Sequence, residues 1–120
     1  MSTMSYSRGD IVLVLFPNSN MRTAKRRPAL VVQATELNTG LSQLIMAMIS
    51  SNMRRVGHPS RVEVQLNNAE ASQSGLLTNS VIMTDNLATV LEAEIDRKLG
   101  VWSDMLAVDL ALCHTLGIGR

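Results

Sequence analysis

The stretch IVLVLFPNSNMRTAKRRPALVV, residues 11–32, decides the fold that the sequence predicts. Its two apolar runs, Ile11 to Phe16 and Ala29 to Val32, are rich in β-branched residues and too short for helices. Pro28 suits the first residue of a strand, which can do without its N–H. We therefore predict two strands joined by a basic loop that ends at Arg27, whose backbone the following proline forces into extended geometry.

The rest of the chain continues the pattern of short strands. Segments 42–49, 61–66, 79–83 and 87–91 predict four more strands, and 94–99 predicts one helical turn closed by Gly100. Ser103 is a suitable N-cap for a helix from Asp104 to about Thr115. The sequence thus predicts one mainly β domain over residues 1–120, a small antiparallel barrel with a C-terminal α-helix.

The predicted C-terminal helix has almost no polar face. A helix that is apolar nearly all round is buried, either on its own barrel or against a partner. One barrel of this size covers only one side of the helix, so we predict a homodimer. The apolar positions are Met105, Leu106, Val108, Leu110, Leu112 and Cys113.

Composition excludes several classes of protein. The single cysteine, Cys113, rules out an internal disulfide, and no apolar run exceeds six residues, far below a membrane span. The N-terminal residues Met1 to Ser7 lack the apolar core of a signal peptide, so we expect a cytoplasmic protein with no membrane partner. No His, Cys and Asp residues have metal-ligand spacing and no phosphate-binding glycine motif occurs, so we predict neither metal nor cofactor.

Charge is distributed unevenly along the chain. Residues 1–61 hold eight basic and two acidic side chains, whereas residues 62–120 hold three basic and eight acidic ones. A basic half favours a polyanion or an acidic peptide as partner, and a solvated loop surface is the alternative. The presence of only three aromatic residues argues against a module that stacks successive bases on rings, so we expect arginines and backbone groups to hold any nucleic acid.

Several of these motifs, in this order, resemble the MazF/PemK toxins of type II toxin–antitoxin systems. They are Gly9-Asp10-Ile11 opening a strand, Arg26 to Val32 after a basic loop, Ile49-Ser50-Ser51, and Ser80 to Ile82 leading to Asp85 and Ile95-Asp96. The resemblance covers residues 8–114. It implies an SH3-like barrel, a homodimer, a cognate antitoxin and metal-independent, sequence-specific cleavage of single-stranded RNA.

The resemblance also assigns site residues. The family's arginine before the proline falls on Arg27 and its catalytic threonine or serine falls on Ser50, whereas an acidic residue of some members falls on Asp85. Such a ribonuclease aligns the RNA 2′-hydroxyl with phosphorus, moves a proton and stabilises added negative charge. Ser51, Asp85 and His58 are supporting candidates, and the predicted RNA-binding residues are Arg22, Lys25, Arg26, Arg54 and Arg55.

The sequence departs from the family pattern at two arginine positions, which are Met83 and Ala88 here. A catalytically silent barrel that binds only antitoxin or RNA is therefore a second hypothesis, and Arg26, Arg54, Arg55 or His58 are candidate replacements. A third is a DNA gyrase poison of the same fold. Those poisons end in Trp-Gly-Ile, whereas this chain ends in Leu-Gly-Ile-Gly-Arg with its one tryptophan at Trp102.

Overall fold

The computed structural model describes residues 6–35 and 37–119. The prediction that Met1 to Ser7 form no signal peptide concerns residues of which the first five lie outside the described part. Within it the chain forms six strands, two single 3₁₀ turns and one α-helix. They are β1 Asp10–Pro17, β2 Ala24–Val31, β3 Gln43–Ser50, β4 Arg61–Val64, a turn at Ala69–Ala71, β5 Ser80–Leu91, a turn at Glu92–Glu94, β6 Ile95–Val101 and α1 Met105–Leu116.

The strands form one antiparallel sheet in the order β4-β5-β3-β2-β1-β6. The predicted mainly β class with a C-terminal helix is confirmed, although β4 and β6 do not pair and the sheet stays open between them. The segment after β4 packs against β6 instead, where the Gln73 carbonyl accepts the Val101 N–H at 2.8 Å. This approach requires Gly100, because a Cβ there would lie 2.2 Å from the same carbonyl oxygen.

Apolar residues cover both faces of the sheet because side chains alternate along each strand. One cluster packs under α1 and includes Ile11, Leu30, Ile49 and Trp102. The other cluster lies on the opposite face and consists of Val12, Val14, Phe16, Ala29, Val31, Leu44, Met46 and Val90, with Met48 packed against it.

The first predicted loop is shorter than expected. Strand β2 begins at Ala24, so Lys25 to Arg27 lie within a strand and only residues 18–23 form the loop. Pro28 consequently lies inside β2 rather than at its start. This is tolerated because β2 pairs with β3 only from Ala29 to Val31, so β2 has no neighbour on that side at the proline.

The later elements also differ from the prediction. Segments 79–83 and 87–91 are one strand, β5, which slips in register against β3 between Met83 and Leu87 and so bulges at residues 84–86. The helical turn predicted over residues 94–99 is wrong from residue 95 onward, because these residues belong to β6, which pairs with β1, whereas Glu94 ends the preceding 3₁₀ turn. Asp104, not Ser103, caps α1, because its carboxylate accepts the Ala107 N–H at 3.2 Å.

Helix α1 is covered on one side only. Val108 and Ala111 are buried against the sheet, whereas Leu106, Leu110 and Leu116 are 68%, 51% and 56% exposed. The helix is therefore apolar on a side that the rest of this chain does not cover.

Candidate active site

The two predicted catalytic residues lie on the same face of the sheet. Strand pairing places Arg27 beside Val14 and Ala29 beside Met48, where the β2–β3 ladder stops. Side chains alternate along each strand, so Arg27 lies on the face of Ala29 and Ser50 lies on the face of Met48, which is the face of the second apolar cluster. The structure thus places two residues that are 23 positions apart on one face of the sheet, each two residues beyond the last β2–β3 pair.

Arg27 has a partly satisfied side chain. Its Nη2 donates to the Oδ1 of Asn18 at 3.0 Å, whereas its Nε is buried without a hydrogen-bond partner in the described part of the chain. A buried donor without an acceptor costs about 1–3 kcal/mol, more for a charged group. An anionic oxygen on this face would give the guanidinium the acceptor it lacks.

Asn18 belongs to a loop that is closed by its own hydrogen bonds. Its Nδ2 donates to the Oγ1 of Thr23 at 2.8 Å, and its backbone N–H donates to the Thr23 carbonyl at 2.9 Å. The Oδ1 of Asn20 accepts the N–H groups of Arg22 and Thr23 at 2.9 and 3.1 Å. Asn18 is therefore held in place before it orients Arg27, a contact that sequence analysis did not predict.

Ser50 ends β3 with its hydroxyl partly engaged. Its Oγ accepts the Asn52 N–H at 3.0 Å, a local bond between residues two apart. A serine hydroxyl also carries one O–H donor, which this bond leaves available. Ser50 is half-buried whereas the neighbouring Ser51 is exposed outside the strand, so Ser50 is the better placed of the two on the Arg27 face.

Asp85 lies in the β5 bulge and is bound by an arginine that sequence analysis did not select. Nε and Nη2 of Arg61 donate to its two carboxylate oxygens at 3.2 and 3.1 Å. Arg61 is the cross-strand neighbour of Met83, one of the two positions where the family arginine is missing. The arginine beside Asp85 thus comes from β4 rather than β5, and not from Arg26, Arg54, Arg55 or His58. Only the strand register, which the sequence does not show, reveals this.

The five predicted RNA-binding residues are all exposed, but they do not share one face. Lys25 pairs with Phe16 and lies on the Arg27 face, whereas Arg26 pairs with Leu15 and lies on the opposite one. Arg22 is in the loop before β2, and Arg54 and Arg55 are in the loop from β3 to β4. Exposed cations thus lie in the loop that enters β2 and in the loop that leaves β3, next in sequence to the strand ends that carry Arg27 and Ser50.

His58 is engaged away from the predicted catalytic pair. Its Nδ1 accepts the Ser60 N–H at 3.1 Å, and its ring packs edge-on against His114 with centroids 5.9 Å apart. Nδ1 is therefore the acceptor, and in the neutral ring the proton lies on Nε2. The hydrogen bonds found for His58 lead to its own loop, so the structure does not connect it to Arg27 or Ser50.

Residues 6–35 and 37–119 contain neither a metal-binding cluster nor a membrane-spanning helix. No group of three or more His, Cys, Asp and Glu residues is arranged to hold a metal ion there. No helix in the same ranges is long and apolar enough to cross a membrane.

One family model matches most of this chain. The model of the "PemK-like, MazF-like toxin of type II toxin-antitoxin system" matches residues 7–116. None of the curated proteins compared with the chain matches it.

Solved structures share the fold at low sequence identity. An endoribonuclease in complex with its cognate antitoxin, from a mycobacterial species, has 19% identity and a TM-score of 0.73 over 97% of this chain and 99% of that one. The Mycobacterium tuberculosis toxin MazF-mt6 has 21% identity and a TM-score of 0.71 over 92% and 99%. A MazE–MazF complex from Deinococcus radiodurans has 19% identity and a TM-score of 0.69 over 95% and 98%.

Proposed function

This chain belongs to the PemK-like, MazF-like toxins of type II toxin–antitoxin systems, and we propose that it is a metal-independent endoribonuclease that cleaves single-stranded RNA at specific sequences to inhibit growth. The observation that carries the proposal is the buried Nε of Arg27, which has no hydrogen-bond partner among residues 6–35 and 37–119 and lies on the face that Ser50 shares. A phosphodiester is the anionic group in RNA that would supply the missing acceptor. We propose that the protein acts on RNA in the cytoplasm.

Arg27 suits the stabilisation of the transition state. When the 2′-hydroxyl attacks phosphorus, negative charge builds up on the non-bridging oxygens of the phosphorane. A guanidinium keeps its charge at every working pH and presents several donors in a fixed plane. Since Asn18 already fixes Nη2 at 3.0 Å, the free Nε needs little reorganisation when charge develops.

Ser50 supplies the second donor in this proposal. Its oxygen is occupied by the Asn52 N–H, which leaves the O–H to donate to a phosphorane oxygen or to orient the 2′-hydroxyl. In the proposed reaction the 2′-hydroxyl loses its proton to water and its oxygen bonds to phosphorus, while the bond to the 5′-oxygen breaks and that oxygen takes a proton from water. The products are a 2′,3′-cyclic phosphate and a 5′-hydroxyl.

We propose a homodimer as the working form. The exposed leucines of α1 need cover, and residues 87–91 of β5 pair with β3 on one side while β4 covers only Ser80 to Met83 on the other. A two-fold partner is the commonest way to bury such surfaces. A cognate antitoxin is the second proposed partner, and an acidic, disordered segment with apolar anchors suits the basic face around Arg27.

A catalytically silent barrel that binds antitoxin or RNA remains the second candidate, and Met83 and Ala88 favour it. The Arg61–Asp85 pair weakens that argument, because it restores a guanidinium beside the acidic residue. In the mechanism above, Arg27 and Ser50 stabilise the added charge and neither depends on an arginine at position 83 or 88.

Induced expression followed by RNA sequencing tests the function directly. We expect new RNA ends at a short recurring sequence, and purified protein should give the same ends with EDTA present. A 5′ fragment ending in cyclic phosphate supports attack by the 2′-hydroxyl, whereas a 3′-hydroxyl end contradicts it. Gyrase–DNA adducts without RNA cuts would instead identify a gyrase poison, and neither result would identify a silent barrel.

A further inference from the structure

The loop Ser51–Ser60 holds a strained arginine beside the candidate site. This loop leads from β3 to β4, which lie on either side of β5, so it has to cross β5. Arg55, in the middle of the loop, has a φ of 63°, in the left-handed region that non-glycine residues rarely adopt. Such a conformation persists only where surrounding contacts impose it. Inside the loop, the Val56 N–H donates to the Met53 carbonyl at 3.1 Å and closes a turn around this residue.

Arg61 adds a contact from outside the loop. Its Nη1 donates to the Arg54 carbonyl at 3.2 Å, and that carbonyl belongs to the peptide that enters Arg55. Nε and Nη2 of the same guanidinium bind both oxygens of Asp85. The Arg61 side chain is only 14% exposed, and its three nitrogens are all engaged, so Asp85 fixes the direction in which Nη1 points.

We propose that Arg61 and Asp85 form a latch that holds the Arg54–Arg55 peptide ready for RNA, and that Asp85 is a positioning residue rather than a participant in proton transfer. The two exposed arginines of the loop then meet the phosphate backbone without first having to be ordered. This inference rests on the proposed function for its substrate. In this role Asp85 acts through Arg61 and the loop and takes no part in proton transfer.

The latch predicts a specific kinetic signature. Without it the loop populates its binding-competent conformation for a fraction of the time, and apparent affinity falls by that fraction. Bound RNA orders the loop again, and the Ser50–Asn52 bond is local and does not depend on the latch. We therefore expect Asp85→Ala to raise KM by about tenfold, the loss typical of one charged hydrogen-bond pair, with kcat changed by less than about twofold.

The matched control is Asp109→Ala. Asp109 lies on α1, its carboxylate pairs with Arg8, and its side chain is 47% exposed. This variant therefore removes a comparable ion pair that lies away from the loop. We expect its KM and kcat to stay at the wild-type values. Asp85→Glu keeps the carboxylate and should restore KM to within about threefold of wild type.

Hydrogen–deuterium exchange of the free protein tests the latch without any activity. Asp85→Ala should speed exchange in residues 51–60 and not in residues 18–23, and Asp109→Ala should change neither. A fall in kcat with unchanged KM and unchanged loop exchange would show that Asp85 acts in the chemistry and overturn the proposal. Unchanged exchange and unchanged kinetics would overturn it equally. If wild-type protein cuts no RNA, the proposed function fails while exchange still decides whether the latch exists.

Discussion

Replacing Arg27 by alanine separates the chemistry of the site from the stability of the fold. The substitution removes one hydrogen bond to Asn18, worth about 1 kcal/mol, and also a buried Nε that has no partner and costs about 1–3 kcal/mol. The loss of packing between the Arg27 aliphatic stem and the sheet destabilises the variant, which offsets the stabilisation gained by removing the buried Nε. The three terms leave the free energy of unfolding within about 1 kcal/mol of wild type.

The effect on catalysis should be far larger. Losing one donor to the developing charge raises the barrier by about 3–4 kcal/mol, which lowers kcat by two to three orders of magnitude. Arg27→Lys keeps a positive charge but not the planar set of donors, so we expect it to recover only part of the rate. Arg97→Ala, which removes an arginine of β6 whose side chain is 67% exposed, is the matched control and should keep the wild-type rate.

The assay is cleavage of a single-stranded RNA under single-turnover conditions, with thermal unfolding measured on the same preparations. Undiminished cleavage by Arg27→Ala would refute the assignment of the site. A loss of activity accompanied by a drop in unfolding free energy above about 3 kcal/mol would refute the stability reasoning, because Arg27 would then support the sheet and not only the reaction.

Three further outcomes follow from the same structure. Ser50→Ala should lower kcat for the same RNA by about two orders of magnitude, whereas Ser50→Thr should retain activity. Equal rates for the two variants would exclude a hydroxyl donor at this position. Gly100→Ala should cost about 3 kcal/mol in denaturant unfolding because its Cβ meets the Gln73 carbonyl, whereas Gly57→Ala, with nothing within 4 Å, should cost less than about 0.5 kcal/mol. Leu110→Asp should convert the proposed dimer to a 13.1 kDa monomer in light scattering. A wild-type protein that cuts RNA as a monomer would exclude the requirement for a dimer.

Local sequence signals were sufficient where an element depends on its own residues. The run Ile11 to Phe16 became β1, and the apolar stretch after Trp102 became α1, because periodicity and chain length decide such elements. Residues 94–99 were predicted as a helical turn because this short run of charged and apolar residues fits a helical turn as well as it fits a strand. Pairing with β1 made them a strand, a tertiary contact that overrides weak local preference.

The choice of Arg27 and Ser50 as one site came only from the family resemblance. The residue types and the proline constraint named two candidates, but no pattern in the chain states which strand lies beside which. The register of β2 on β3 supplies that information, together with the point where their ladder ends.

By itself the sequence determined that the chain is mainly β, that its first half is basic, and that its last helix has no polar face. Only the tertiary structure decided that Lys25 and Arg26 face opposite sides of the sheet, that Asn18 orients Arg27, and that Arg61 binds Asp85 across a bulge. The physical reason is that composition and periodicity are properties of neighbours along the chain. A shift of one residue in register moves every side chain of a strand to the other face, and that register is set by the packing of the whole sheet.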